Sequence, residues 1–177
     1  MSVSLSELTV ATYRQVLPAM LGVLEKGAAF AADSGMNADE LVEARLHPEM
    51  SPLHFQIVSV VHHSLAAVRG VLSGEFHPPS GYPELDYAGF TPFLEQALSE
   101  INALSAAEID GRAGGQVLFK LSAQTVPFTT ENFLLCFSLP NLFFHATTGY
   151  DILRAQGVPL GKMDFLGPMR IGLPDGG

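Results

Sequence analysis

Tryptophan is absent from the 177 residues, and cysteine occurs once, as Cys136. A single thiol closes no intrachain disulfide, so the fold must rest on packing. Free cysteine is among the most buried residue types, and Cys136 is therefore expected to be a small core residue rather than a nucleophile. Charge is also scarce. Only 15% of residues are Asp, Glu, Lys or Arg, with 9 basic against 18 acidic side chains and a net charge of −9. No basic run occurs, so the positive footprint that a nucleic-acid partner needs is missing. The acidic excess favours a solution in which copies repel one another. No apolar run reaches the roughly 18 uninterrupted residues of a membrane span, and no membrane partner is expected. The opening MSVSLSELTV has neither the charged start nor the apolar stretch of a secretion signal, which points to a cytoplasmic protein. The nucleotide-binding spacings GxxxxGK[ST] and GxGxxG at a helix start do not occur, nor does the GxSxG of a serine nucleophile.

What the chain does hold is a globular composition, 47% apolar. Its length suits a single domain over residues 1–177, with a core at about 5–168 and a mobile tail at 169–177. From Ser4 to about Ala32, Val10, Tyr13, Leu17, Leu21, Leu24 and Ala28 recur at helical spacing. Pro18 is expected to kink this helix. NADELVEARL reads as a short helix capped by Asn37 with Glu40 closing a capping box. Pro52 opens a second long helix that runs to about Leu72. The segment 73–86, SGEFHPPSGYPELD, reads as a Gly/Pro-rich loop. A third amphipathic helix is expected over about 89–108, with Phe93, Ala97, Ile101 and Leu104 on one face. QVLFKLS and TVPF suggest a short β-hairpin. The last long helix, about 131–156, starts at a threonine cap, carries Pro140 and ends at Gly157; an extended arm follows. Four long helices joined by short insertions predict an all-α bundle.

Polar residues on apolar helix faces are the candidate functional groups, because burying them is unfavourable unless they are paired. Gln56, Ser59 and His63 share one face of the second long helix, and Asn141, His145 and Thr148 share one face of the last. If the helices pack, both rows meet in one polar seam, the place where bundles build pockets and metal sites. His62 lies about 100° around the helix from His63, so only one of the two is expected to face the seam. His63 and His145 are the candidate catalytic residues, and Gln56, Ser59, Asn141 and Thr148 the candidate pocket residues. A metal reading uses His63 and His145 with the amide oxygen of Asn141 or Gln56; imidazole nitrogens suit zinc, nickel or iron, whereas amide oxygens are weaker ligands. Asp151 with Arg154 reads as a structural pair, and Lys162 and Asp164 are expected to bridge the arm to the bundle, with the mouth of a pocket as the other reading.

Three stretches, VLEKGAAFA, EARLHPEMSPLHFQ and LPNLFFHATTGYDILRAQGVPLGKMDFLG, together resemble an uncharacterised bacterial and fungal family, a domain of unknown function, of the DinB/YfiT-like four-helix bundle superfamily. The likeness spans about residues 5–168. It implies that bundle, with a short helix after the first long one, the hairpin before the last and the C-terminal arm. The superfamily's metal site uses one histidine of the second helix and an H-x-x-x-H pair on the last. Its better understood members resemble metal-dependent thiol transferases or isomerases. By position, His145 matches the second member of the pair, Asn141 stands where the first would be, and His63 or His62 matches the remaining histidine. Three functions follow as expectations: a small-molecule pocket protein, with an enzyme using His63 and His145 without a complete metal site as one form of it; a divalent-metal transferase or isomerase; and a non-catalytic homodimeric module.

Overall fold

The computed structural model describes residues 3–79 and 81–172; positions 173–177 of the expected tail lie outside the described residues. The chain is mostly helical with one small sheet. Helix α1 (Leu5–Leu8) leads into α2 (Val10–Ser34), which ends at Gly35 in the left-handed conformation, φ +69°. Asn37 caps a single tight turn, Ala38–Leu41, by accepting from the Asp39 amide. This turn is shorter than expected and has no capping box.

The second long helical segment has three parts: α3 (Leu53–Val61), a π-turn over His62–Ala66, and α4 (Ala67–Ser73). By length and composition, Leu53–Ser73 could cross a membrane, but 72% of its most apolar 18-residue window is buried inside the protein, as suits a core helix. Helices α5 (Tyr87–Ala103) and α6 (Ala106–Asp110) replace the single helix expected over 89–108. Leu104 is extended at ψ 135°, and Ser105 starts α6 with a full capping box to Glu108.

The expected hairpin is present. β2 (Gln116–Lys120) pairs antiparallel with β3 (Thr125–Thr129). The all-α expectation needs one correction, since a third strand, β1 (Glu75–Phe76), adds in parallel to β2 from within the segment read as a loop. The last long helical segment follows: α7 (Thr130–Asn132), capped by Thr129, a second π-turn over Phe133–Ser138, and α8 (Leu139–Ala155). The arm is not wholly extended, because Lys162–Leu166 forms α9. Asp164 of α9 pairs with Lys26 of α2 at 2.7 Å, and Gln15 donates to the Leu166 carbonyl, so the arm is clamped to α2.

Packing follows the apolar stripes. Helix α3 lies against α8, and α2 lies against α5. The core includes Tyr13, Leu17, Met20, Leu24, Leu53, Ile57, Phe90, Leu94, Ile101, Phe133, Leu142 and Leu153. Cys136 is exposed, contrary to expectation, because it faces out of the last helical segment.

Candidate functional site

The α3–α8 contact brings the two polar rows together. His145 is 8% exposed, and its Nδ1 lies 2.8 Å from Gln56 Oε1. Gln56 donates its own Nε2 to the Ser51 carbonyl at 2.9 Å, which turns the amide oxygen toward the histidine. An amide oxygen only accepts, so His145 Nδ1 carries the proton and Nε2 keeps its lone pair. A ring held in this way has a fixed tautomer and orientation.

His63 stands opposite, also 8% exposed. The two rings are nearly parallel, 11° apart in plane with centroids 5.6 Å apart. His63 Nδ1 is buried and has no hydrogen-bond partner among the described residues. Leaving such an atom unpaired costs free energy, and sites of this kind are commonly functional. His62 does not point away as helical spacing implies. Its ring meets His63 edge to face at 5.2 Å, and both line the same pocket. The π-turn that begins at His62 explains this, since widening the helix by one residue changes the angle between successive side chains.

The pocket has a volume of about 230 Å³. Its polar groups come from Ser59, His62, His63, Asn141 and His145; its walls are Phe55, Phe76, Phe119, Phe137, Tyr82, Pro78 and Pro79. Several wall residues come from the segment after β1, which apolar periodicity did not single out. Phe76 packs on His62 at 4.7 Å and on Phe133 at 4.9 Å. Tyr82 packs on Phe55 at 5.1 Å, and His54 Nε2 donates to the Pro83 carbonyl at 2.7 Å, which fixes this segment over the site. The other named residues lie around the pocket. Gln56 is behind His145 and not in the lining, while Thr148 donates to the Phe144 carbonyl one turn away. Asn141 lines the pocket and gives its amide to the Phe137 carbonyl at 2.7 Å. The two π-turns are tied to each other here, because Ser138 Oγ donates to the His63 carbonyl at 2.7 Å.

Burial is the main influence on the histidines. It lowers His62, and burial followed by the neighbouring His62 and His145 rings lowers His63 to about 3. Burial and then the His62 ring lower His145 to about 4. His63 and His145 are therefore neutral at physiological pH. Together they form an uncharged, aromatic-walled pocket with one oriented lone pair, at His145 Nε2.

The superfamily resemblance implies a metal held by three histidines. Here three imidazoles share one pocket, but among the described residues no group of three His, Cys, Asp or Glu is placed to hold one ion. The third position of the implied set is the amide of Asn141, which offers only a neutral oxygen, a weaker ligand than the imidazole it stands in for, while its nitrogen donates to the Phe137 carbonyl. The donor set does not fit the implied site.

A larger groove of about 630 Å³ lies beyond Tyr82, lined by Asp39, Glu43, His54, Glu84 and Asp86 among others. Two of its acids already serve the fold, as Asp39 accepts from the Tyr87 amide and Asp86 caps α5 through Gly89.

Comparison with known proteins agrees with the architecture. A protein family described as "Domain of unknown function (DUF1993)" matches residues 5–166. The crystal structure of a DinB family member protein from Shewanella denitrificans superposes with a TM-score of 0.80 at 26% identity, over 96% of each chain. No curated protein matches the chain.

Proposed function

Because the chain belongs to the family described as a domain of unknown function, DUF1993, its function must come from its own residues, and we propose that it binds a small, uncharged molecule with a hydrogen-bond donor between its helices. We read the helical segments 10–34, 53–73, 87–103 and 130–155 as a DinB-type four-helix bundle forming one cytoplasmic domain. The observation that carries the functional reading is the pairing of His145 with Gln56. It leaves Nε2 as the free acceptor of a ring that lines a pocket walled largely by aromatic side chains. A ligand donor would satisfy that nitrogen, and apolar burial would supply the rest of the affinity. A histidine titrating near 4 is a weak base at neutral pH, so this geometry supports binding and polarisation ahead of proton abstraction.

Three ring compounds of similar size test the reading. Phenol donates a hydrogen bond, toluene has no donor, and benzoate is charged at neutral pH. Phenol is expected to bind about tenfold more tightly than either and to shift the His145 imidazole ¹⁵N resonances. Benzoate binding as well as phenol, or phenol leaving the His145 signals unmoved, would overturn the proposal.

A resident divalent metal is the alternative that the resemblance implies. The orphaned His63 Nδ1 and the oriented His145 Nε2 favour it, since metal-ligating histidines commonly donate their second N–H to a carbonyl. The incomplete donor set weighs more. Plasma mass spectrometry of untagged protein is expected to find no stoichiometric zinc, nickel or iron. Near-equimolar metal that disappears in His145→Ala would replace the first reading with the second.

A further inference from the structure

We propose that His63 is the second anchor of the pocket, donating from Nε2, and that the ligand is therefore a hydroxyl compound whose oxygen gives its hydrogen to His145 and accepts one from His63. This rests on the reading of His145 Nε2 as the acceptor. His63 is 8% exposed. Its carbonyl is engaged by Ser138 Oγ at 2.7 Å, but its ring bonds to nothing among the described residues. The neighbours explain this. Phe76 and Phe137 pack on the ring at 6.1 and 5.5 Å, and His145 lies parallel to it at 5.6 Å. Phenylalanine offers neither donor nor acceptor, and the one N–H of neutral His145 is spent on Gln56. The partner that a buried polar group ordinarily has is missing from the protein itself.

Accessibility decides the tautomer. A neutral imidazole carries one N–H and one bare nitrogen. Nδ1 of His63 is cut off from solvent, so a proton there would be an orphaned buried donor, a state proteins avoid. Nε2 is then the nitrogen that the ring offers to the pocket it lines, and the proton belongs there. His63 and His145 hold opposite tautomers, and the pair presents one donor and one acceptor. His62 is only partly buried, so water satisfies its ring. Two hydrogen bonds of about 2.9 Å that meet at one oxygen span up to about 5.8 Å. The ring centroids are 5.6 Å apart, so the gap is on the scale that a single oxygen bridges. A hydroxyl is the smallest group that both donates and accepts. An N–H of the pyrrole type only donates and engages His145 alone, and an ether only accepts and engages His63 alone.

Two measurements on the full chain test this. Long-range ¹H–¹⁵N correlation spectra of the unliganded wild type at neutral pH need no variant. They are expected to show the proton of His63 on Nε2 and that of His145 on Nδ1. Calorimetric titration then compares phenol with pyrrole. Phenol should bind the wild type about tenfold more tightly, the worth of one further hydrogen bond, and this advantage should vanish in His63→Phe, which keeps an aromatic ring but no donor. A His63 proton on Nδ1 would overturn the proposal. So would a phenol-to-pyrrole ratio that is the same in both proteins; if both compounds still shift the His145 resonances, only the role of His63 falls. Neither compound binding the wild type would remove the reading of His145 and this inference with it.

Discussion

Lowering the pH from about 6.5 toward 4 should cost the protein several kcal/mol of stability. His63 and His145 are held at about 3 and about 4 in the fold, against an ordinary value of 6.5. The sign follows from which state binds protons. In this window the unfolded chain protonates both rings and the folded chain does not, so acid favours unfolding. The contribution is complete above 6.5, falls as the pH drops, and levels off only where the folded rings themselves protonate. One histidine changes the balance by at most about 1.4 kcal/mol per pH unit, and two by at most about 3. A domain with a total stability of about 5–15 kcal/mol cannot absorb that over two units without large loss. Urea unfolding at several pH values between 7.5 and 4.5 measures it. His63→Phe should flatten the slope by about half, because it removes one of the two rings while keeping an aromatic in the pocket. A stability that stays level across this range would show that the rings are hydrated in solution, and that the pocket is not the uncharged, aromatic-walled space described above.

Phe76→Ala is expected to cost about 3–5 kcal/mol, the range for emptying a large aromatic site in a core. Phe76 is 2% exposed. It touches both adjacent histidines and the phenylalanines at 119, 133 and 137, with centroids between 4.7 and 6.1 Å. It joins the sheet, the second π-turn and the pocket in one cluster. Its loss should act twice. Equilibrium unfolding should show the fall in stability, and NMR titration should show His63 moving back toward 6.5 as water reaches the ring, since burial is the first cause of its depression. Phe76→Leu, which refills most of the space, should recover most of the stability. A Phe76→Ala protein as stable as the parent would mean that the strand β1 does not close the site.

The helices were legible because their apolar stripes repeat at helical spacing, and the hairpin because strand alternation flanks a turn. Gln56 and His145 were each placed on the correct face by the same arithmetic, and the hydrogen bond between them joins the two rows. What escaped that reading depends on distant partners or altered local geometry. β1 is two residues long and exists because residues 118 and 119 lie beside it, a pairing no local pattern announces. Without β1, Phe76 and the Pro78, Pro79 and Tyr82 wall read as a solvated loop. Cys136 was assigned to the core by residue type, yet the helical stretch around it is apolar on nearly every side, so inward and outward faces look alike. His62 and His63 were expected to be alternatives, one facing the seam, on a 100° step that holds only while the helix stays α, whereas both line the pocket.

The π-turns also govern how related chains align. A π-turn is one residue more than the hydrogen-bond ladder of an α-helix requires. Both histidine-bearing helices contain one, at His62–Ala66 and at Phe133–Ser138. A relative that lacks either turn would have to be aligned with a one-residue gap inside a continuous helix, where gaps are ordinarily rejected. Without that gap, every side chain beyond the turn would be matched to the wrong neighbour. Fixed spacings such as H-x-x-x-H are then reliable only within one side of a turn, as they are for Asn141 and His145, and positional equivalence for His62 or His63 has to be decided in three dimensions.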